Sequence, residues 1–370
     1  MDFTKTDCDI LHFRDANGRR RFGTLGVFVT LACICRGKLR MPAEQKLYIH
    51  AGQTKTGSSF LQAAFAGSID ALKSMGIVYP IDRKLAELAR TGIPTSGNID
   101  DGAPDLPQLI ARTFKSTRPN SCLLSNERIF DPMVRGDTLE KLRQGMPNAQ
   151  IKVLFFVRDP LEHVISSFQQ ASKLRNDIGS FAEFAANYNR IGWNQAGIAK
   201  LKTVDIEVEV RNYSRHKTDL LPLTESWLGL APGTLSPPET DAINRTLTRA
   251  ETALQEAFVR HFGPFSTRYI GVPLAMKLPD VKPDLPLMSE NEMQAFLSRM
   301  AIAIERNSDD IPTDEAYSLP GLEEAMNRVD PVGQEGVYTL TQAQIDVLVA
   351  SLSDALVPKS KVSKLFQPKK

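Results

Sequence analysis

Two glycines between an apolar strand and a helix constrain the fold of this chain more than any other feature. The segment KLYIHAG, residues 46–52, predicts a short β-strand that runs into Gly52. Residues 58–76 then carry apolar side chains at helical spacing, and Gly76 is placed to end that helix. A strand, a glycine loop that ends at Gly57 and a helix, in that order, open a βαβ unit. The sequence therefore predicts an α/β fold.

Three further apolar segments extend this unit into a sheet. They are residues 121–127, residues 151–160 and the alternating stretch 204–213. Strands separated by helices predict a three-layer fold with a central, mostly parallel sheet. Ligands of such sheets bind at the carboxyl ends of the strands. Four side chains lie at or just beyond the ends of the predicted strands, and we expect them at that edge: Lys55, Glu127, Arg158 and Tyr213.

Charge and composition limit the possible functions. The formal net charge is +2 over 370 residues, so a broad nucleic-acid-binding surface is not predicted and any anion site must be a local pocket. The four cysteines form no C-x-x-C pair, and the five histidines show no H-E-x-x-H spacing. We therefore expect no disulfide framework, no protein-bound metal and a reducing, cytoplasmic location. Peripheral association with a membrane remains an alternative.

The two ends of the chain differ from its middle. Residues 1–40 contain three consecutive arginines and then an apolar run too short to cross a bilayer. We interpret them as an extension that is disordered or added by a misplaced start codon, with a membrane or export role as the alternative. Residues 41–275 are expected to form the α/β domain. Residues 276–370 are expected to form a helical extension packed on the same domain, without a stable membrane span.

The glycine loop predicts an anion site. Backbone N–H groups between a strand and a helix N-terminus converge on one point, and the helix dipole favours negative charge there. Ser58 and Ser59 add hydroxyl donors, and Lys55 adds a positive charge. The Walker A loop of nucleotide hydrolases carries its lysine after the second glycine, where this chain has Ser58. A tight turn without a ligand is the alternative interpretation.

Helix signals and loop residues complete the prediction. Ser289 with Glu292 forms a capping-box pattern at the start of a helix over 289–307, and Thr341 is a predicted N-cap. Residues 91–107, rich in Gly, Pro and Asp, predict a long surface loop, which is a candidate cover for the site.

Two motifs resemble those of a known family. HAGQTKTGSSFLQ, residues 50–62, is similar to the 5′-phosphosulfate loop of the sulfotransferases that use PAPS (3′-phosphoadenosine 5′-phosphosulfate), a loop that often reads like PKTGTT. VRDPLEHVISSF places Arg158 at a strand end and Ser166 eight residues later, and the family holds the 3′-phosphate with such a pair. The similarity extends over residues 46–215. It implies a P-loop-type fold with PAPS as donor and these cofactor-binding residues: Lys55, Thr56, Gly57, Ser58, Ser59, Arg158, Ser166 and Tyr213.

The resemblance also implies a chemistry. A hydroxyl of an acceptor attacks sulfur in line, Lys55 stabilises charge on the oxygen that leaves, and no metal is needed. Glu127, in a stretch that resembles the family's Ser-x-Glu, is the first candidate for general base, and a structural ion pair with Arg128 is its alternative. His50, interpreted as a core residue, and His163, interpreted as exposed, are the other candidates.

Other features refine the family assignment. The chain lacks the C-terminal motifs of the branch that sulfates small phenols, which favours the bacterial or carbohydrate-type branch and a glycan or glycolipid acceptor. Ser125 is a candidate contact of cofactor or acceptor. NRTLTRAE, residues 244–251, resembles a family segment that follows the last core strand, which makes Arg245 a candidate phosphate ligand. No nucleic-acid partner is expected.

Two other functions compete with this one. A P-loop kinase or nucleotide hydrolase is disfavoured because Ser58 replaces the Walker lysine and no Walker B motif follows. A non-catalytic nucleotide-binding protein of the same fold is disfavoured because Lys55, Glu127 and Arg158 are all present.

Overall fold

A sheet whose strands all run parallel forms the centre of the part of the chain that the structure describes. Its strand order is β2-β3-β1-β4-β5. The strands are β1 (Lys46–His50), β2 (Ile77–Val78), β3 (Ser121–Ser125), β4 (Gln150–Val157) and β5 (Glu207–Asn212). This confirms the α/β fold with a central parallel sheet that the sequence predicts.

The structure is a computed structural model, and it describes residues 45–90, 97–99, 121–127, 129–135, 137–174, 179–238, 245–307, 309–333 and 338–356. The expectation for residues 1–40 and most of the predicted 91–107 loop lie outside these ranges.

Helices cover both faces of the sheet because its strands are apolar on both faces. Every residue of β3 is buried, as are the last five of β4. Alternate residues of β4 enter different cores. Phe155 lies in a core that also contains Phe296 of a C-terminal helix, whereas Phe156 lies in one with Phe65 and Trp227. With one core on each face, the sheet is the middle layer of three, between two layers of helices.

The helices follow the predicted pattern with small shifts. They are α1 (Ser58–Gly67), α2 (Ile69–Ser74), α3 (Arg83–Arg90), α4 (Phe130–Arg135), α5 (Thr138–Gly145), α6 (Pro160–Leu174), α7 (Phe181–Ala186), α8 (Arg190–Thr203), α9 (Leu220–Leu228), α10 (Arg249–Phe262), α11 (Gly271–Lys277), α12 (Glu290–Arg306), α13 (Leu322–Met326) and α14 (Gln342–Leu356). Two 3₁₀ helices span Pro264–Tyr269 and Thr313–Glu315. Within the described residues, no helix is both long enough and apolar enough to cross a bilayer.

One predicted helix is divided. The expected helix over 58–76 breaks at Ser68, whose N–H bonds to the carbonyl oxygens of Ala64 and Phe65. The Ser68 hydroxyl accepts a hydrogen bond from the N–H of Ser236, 2.8 Å away, so a distant segment holds the break. Gly76 follows α2 with φ of 78°, as expected for a residue that ends a helix.

The capping predictions hold. Ser289 and Glu292 form a reciprocal capping box at the start of α12. The Thr341 hydroxyl accepts from the N–H of Gln344, 3.3 Å away, at the start of α14.

Candidate functional site

The glycine loop starts as an extension of the sheet and then turns sharply. The N–H of Ala51 bonds to the carbonyl oxygen of Leu154, and the N–H of Gln53 bonds to that of Phe156, each at 3.1 Å. Lys55 then has φ of 66° and Gly57 has φ of 79°. Left-handed conformations at two positions reverse the chain, so that the loop delivers α1 with its N-terminus at the sheet edge.

Glycine is required at position 57 for a steric reason as well. A Cβ there would lie 2.8 Å from Cδ1 of Leu220 and 2.9 Å from Cε2 of Tyr213. Tyr213 directly follows β5, and its N–H bonds to the carbonyl oxygen of Val157 at 2.8 Å. The start of α1 therefore packs closely against the end of β5.

The junction between β4 and α6 clamps the loop. Arg158 Nη1 donates to the carbonyl oxygen of Lys55 at 2.8 Å, and His163 Nε2 donates to that of Thr54 at 3.0 Å. Thr56 is fully buried, and its hydroxyl donates to the carbonyl oxygen of Gln53. The two motifs singled out in the sequence thus meet at one edge of the sheet.

The remaining contacts of Arg158 leave part of its guanidinium open. Its Nε lies 3.3 Å from Glu162 Oε2, and its Cζ lies 5.1 Å from the centre of the Tyr213 ring. No described residue accepts a hydrogen bond from its Nη2. Since the side chain is 16% exposed, these donors remain accessible from outside the protein.

A carboxylate next to Arg158 forms ion pairs with three positively charged side chains. Glu162 contacts Arg158, Lys217 at 2.7 Å and Arg328 at 3.4 Å. Burial raises the pKa of Glu162, but the hydrogen bond and charge of Lys217 and the charge of Arg158 outweigh it, so the pKa lies below its ordinary value. Glu162 is one helical turn from Arg158 and was detectable from that spacing, whereas Lys217 and Arg328 carry no signal in the sequence.

Several buried polar atoms around the loop have no partner among the described residues. They are Nε2 of His50, Oγ of Ser58 and Oε1 of Gln62, on side chains that are at most 4% exposed. A buried polar atom without a hydrogen bond costs about 1–3 kcal/mol. The first N–H groups of α1 also have no acceptor within the helix. Such a set fits a site where a polar ligand completes the hydrogen bonds.

Lys55 and Glu127 act on one another electrostatically. Burial and the charge of Arg158 lower the pKa of Lys55, while the charge of Glu127 raises it, and the net direction is downward. Gln62 Nε2, on α1, lies 3.4 Å from Glu127 Oε2. The two predicted catalytic residues thus lie within electrostatic range, and Gln62, which the sequence analysis missed, contacts one of them.

Other predicted residues vary in their surroundings. Ser59 in the first turn of α1 and Ser166 in α6 are both partly exposed. Ser125 is buried, and its Oγ lies 2.9 Å from His50 Nδ1. Residues 97–99, the described part of the predicted 91–107 loop, lie over the end of β3, where Asn98 Oδ1 accepts from the N–H of Ser125 at 2.8 Å.

Both histidines are buried and neutral. Burial lowers the pKa of His50 to about 4. Burial and the charge of Arg158 lower that of His163 to about 3. The prediction that His163 is exposed was wrong, because the face of α6 that carries it packs against the loop and against Tyr188, with ring centres 5.6 Å apart.

Arg245, a candidate phosphate ligand in the sequence, instead makes hydrogen bonds within the protein. Its guanidinium donates to both carboxylate oxygens of Glu251 at 2.7 Å. The other donors reach the carbonyl oxygens of Thr246, Leu274 and Leu278. All five N–H donors of an arginine are therefore used.

Comparisons with known proteins return little. No family model matches the chain, and the search of curated proteins found no match. Among solved structures, the chain is similar to a crystal structure of retinol dehydratase in complex with androsterone and the inactive cofactor PAP. The identity is 14% over 75% of this chain and 82% of that chain, with a TM-score of 0.30.

Proposed function

We propose that this protein is a sulfotransferase that moves a sulfuryl group from PAPS to a hydroxyl group of a glycan or glycolipid. One observation carries the proposal. Arg158, with open donors, lies against a glycine loop next to two buried atoms, Ser58 Oγ and His50 Nε2, that lack hydrogen-bond partners among the described residues. An anionic ligand at this edge would complete these hydrogen bonds.

The residues present fit PAPS. When bound, PAPS supplies the sulfuryl group and leaves as PAP. The N–H groups and hydroxyls from Thr56 to Ser59 would hold the 5′-phosphate at the N-terminus of α1. Arg158 and Ser166 would hold the 3′-phosphate. Tyr213, whose ring lies under the Arg158 guanidinium, would pack near the nucleotide.

The chain's own groups would do the chemistry by position and charge. The Lys55 ammonium would donate a hydrogen bond to the oxygen on which negative charge develops. The Glu127 carboxylate would accept the proton of the acceptor hydroxyl, since a base is needed to make that oxygen nucleophilic. Gln62 would orient Glu127, because its amide, on α1, lies 3.4 Å from the carboxylate.

We also propose that residues 41–275 form the domain with the cofactor site and that 276–370 extend it on the same core. Phe296 of α12 supports the second part of this proposal. The centre of its ring lies 6.2 Å from that of Tyr188, and the Tyr188 ring in turn contacts His163.

The first experiment is calorimetry with PAP and with ATP. The protein should bind PAP without Mg²⁺, and Arg158→Met should weaken this binding about 10- to 100-fold, the worth of hydrogen bonds to a charged group. Arg83→Met is the matched control, because that side chain is 91% exposed on α3. Tighter binding of ATP with Mg²⁺, or equal PAP affinity in Arg158→Met and the control, would overturn the proposal.

The second experiment separates an enzyme from a protein that only binds the nucleotide. Lys55→Met should lower transfer of labelled sulfate about 10²- to 10³-fold while PAP affinity falls much less. Wild-type protein that binds PAP but transfers nothing to any hydroxyl acceptor would exclude catalysis.

A further inference from the structure

A turn at the carboxyl end of β5 brings one more positive charge to this edge of the sheet. The N–H of His216 bonds to the carbonyl oxygen of Tyr213 at 3.2 Å, which closes the turn. His216 Nε2 also lies 2.8 Å from Oε1 of Glu315, a carboxylate that is only 2% exposed. The next residue, Lys217, therefore extends from a segment that is held by contacts to the rest of the protein.

Lys217 and Arg158 contact the same oxygen atom. Lys217 Nζ lies 2.7 Å from Glu162 Oε2, and Arg158 Nε lies 3.3 Å from that oxygen. The two nitrogens are therefore no more than 6.0 Å apart. Ser214 Oγ donates to the same oxygen at 3.1 Å, so three side chains fix its position. The lysine ammonium thus lies beside the guanidinium that still has open donors.

The carboxylates of this cluster leave an excess of positive charge. Arg328, the third cation around Glu162, has a carboxylate of its own in Glu324, at 2.6 Å. Arg158 and Lys217 then share the single negative charge of Glu162, which leaves a net charge of +1 on these five groups. A phosphate monoester carries about −1.5 to −2 charges at neutral pH and would be attracted to such a cluster.

Lys217 keeps donors for a ligand. An ammonium group has three N–H donors, and Glu162 is the one acceptor that Lys217 contacts among the described residues. The lysine side chain is 43% exposed, so its other donors are accessible from outside the protein. Asp159, the nearest other acid in the chain, uses its oxygens to accept hydrogen bonds from Asn212 and Ser318.

We infer that Lys217 binds the same phosphate as Arg158 and makes the site select nucleotides that carry a phosphate at this position. Two cationic donors no more than 6.0 Å apart can both contact one phosphate group, because its three terminal oxygens all accept hydrogen bonds. Glu162 would hold the two donors side by side. The inference rests on the proposed function, in which this phosphate is the 3′-phosphate of PAPS, and it adds a residue that lies in neither of the two sequence motifs.

The test compares PAP with adenosine 5′-phosphate (AMP), which lacks the 3′-phosphate. Calorimetry on the full-length protein gives the PAP affinity, and displacement of PAP gives the AMP affinity. Lys217→Met should weaken PAP binding about five- to tenfold, which is less than the loss of a buried hydrogen bond to a charged group because the lysine is partly exposed. The AMP affinity should change by less than about twofold.

A lysine at the other end of the sheet provides the matched control. Lys152, near the start of β4, also pairs with a glutamate, Glu207, at 2.8 Å. Lys152→Met should therefore change neither affinity. Lys217→Arg keeps the charge and should retain most of the PAP affinity. Near-UV circular dichroism is measured first, and Lys217→Gln is used if Lys217→Met does not fold.

A double-mutant cycle separates direct contact with the phosphate from an effect through Glu162. If Lys217 contacts the phosphate, Lys217→Met should weaken PAP binding by a similar factor in a Glu162→Gln background. If Lys217 acts only by holding Glu162, and through it Arg158, Lys217→Met should have no effect in that background, and the inference would be wrong.

The outcomes for this inference and for the proposed function are separable. If PAP binding depends on Arg158 but Lys217→Met matches Lys152→Met, or weakens AMP as much as PAP, the inference fails and the proposed function stands. If the wild-type protein does not bind PAP, the proposed function fails and the role of Lys217 fails with it.

Discussion

Two arginine–carboxylate pairs occupy different regions of this molecule and differ in how completely they are satisfied. At the sheet edge, Arg158 pairs with Glu162, yet no described residue accepts a hydrogen bond from its Nη2. In the helical layer, defined as residues 245–356, Arg245 pairs with Glu251, and every guanidinium donor meets an oxygen. The side chains of the second pair are only 6% and 0% exposed.

The difference distinguishes a site from a structural support. A saturated, buried ion pair has nothing to offer a ligand, and it holds the start of α10 against α11 through the carbonyl oxygens of Leu274 and Leu278. An arginine with open donors next to unpaired buried polar atoms has hydrogen bonds that only a ligand would complete. We therefore expect removal of Arg245 to affect folding and removal of Arg158 to affect binding.

The largest effect is expected in the helical layer. Arg245→Met should lower the free energy of unfolding by about 3–5 kcal/mol, because it leaves the buried Glu251 carboxylate without its counter-charge. Urea denaturation followed by circular dichroism measures this. Arg260→Met, at an exposed arginine on α10, the helix that carries Glu251, should change stability by less than about 0.5 kcal/mol. A loss below about 1 kcal/mol in Arg245→Met would contradict the structural role.

The contrast between the two arginines also shows what the sequence can predict. Arg158 follows an apolar strand and precedes a helix, so its position at the sheet edge follows from local pattern alone. Arg245 carries the same side chain near a predicted helix start, and there it was a family resemblance that suggested a ligand. Its five acceptors belong to Thr246, Glu251, Leu274 and Leu278. The proximity of the last two has no signal in a single sequence.

The burial of His163 escaped prediction for a related reason, whereas that of His50 was expected. His163 lies on a helix whose periodicity leaves room for an exposed face, and only the position of the Thr54 carbonyl shows that it faces inward. By contrast, the strands, the glycine loop and the caps were predictable, because alternation, glycine spacing and Ser-x-x-Glu patterns are local. The fold is therefore largely predictable, and the division between binding and supporting residues is not.

The second largest effect is a pH dependence that belongs to the sheet edge. His50 and His163 have pKa values of about 4 and about 3 in the folded protein, below the ordinary 6.5. The unfolded chain therefore binds more protons below pH 6.5, and the stability that is fully present above that pH is lost as pH falls toward 4. Each histidine should contribute a slope that approaches about 1.4 kcal/mol per pH unit.

Matched histidine variants identify the source of this slope. Urea denaturation between pH 7 and pH 4.5 should show a shallower decline in His163→Asn than in the wild type. His261→Asn, an exposed histidine in the helical layer, should keep the wild-type slope. If His163→Asn and His261→Asn decline equally, His163 is not a neutral, buried group in solution.

A smaller effect separates charge from hydrogen-bond geometry at Arg158. Arg158→Lys keeps the positive charge but loses the planar fork that donates to the Lys55 carbonyl oxygen and, in the proposed function, to a phosphate. PAP affinity should fall about tenfold, roughly 1.4 kcal/mol, with the unfolding free energy changed by less than about 1 kcal/mol. Calorimetry and urea denaturation of the same preparation measure both. A stability loss as large as that of Arg245→Met would remove the contrast between the two regions.

The smallest effect concerns the backbone of the loop, where we expect glycine to be more stabilising than alanine. Lys55 is a non-glycine residue with φ of 66°, a conformation that costs an L-amino acid about 1 kcal/mol. Lys55→Gly should therefore be more stable than Lys55→Ala by about 0.5–1 kcal/mol, although both lose the same ammonium group and both should lose sulfuryl transfer. Urea denaturation of the two variants side by side isolates the backbone contribution, because their side chains differ by one methyl group. If Lys55→Ala is the more stable variant, the loop does not hold this residue in a left-handed conformation. If Lys55→Gly and Lys55→Ala lose transfer equally but differ in stability, transfer requires the ammonium group and the lysine backbone is strained in the folded protein. A strained residue that is kept for its charge is expected in a binding region and not in a supporting one.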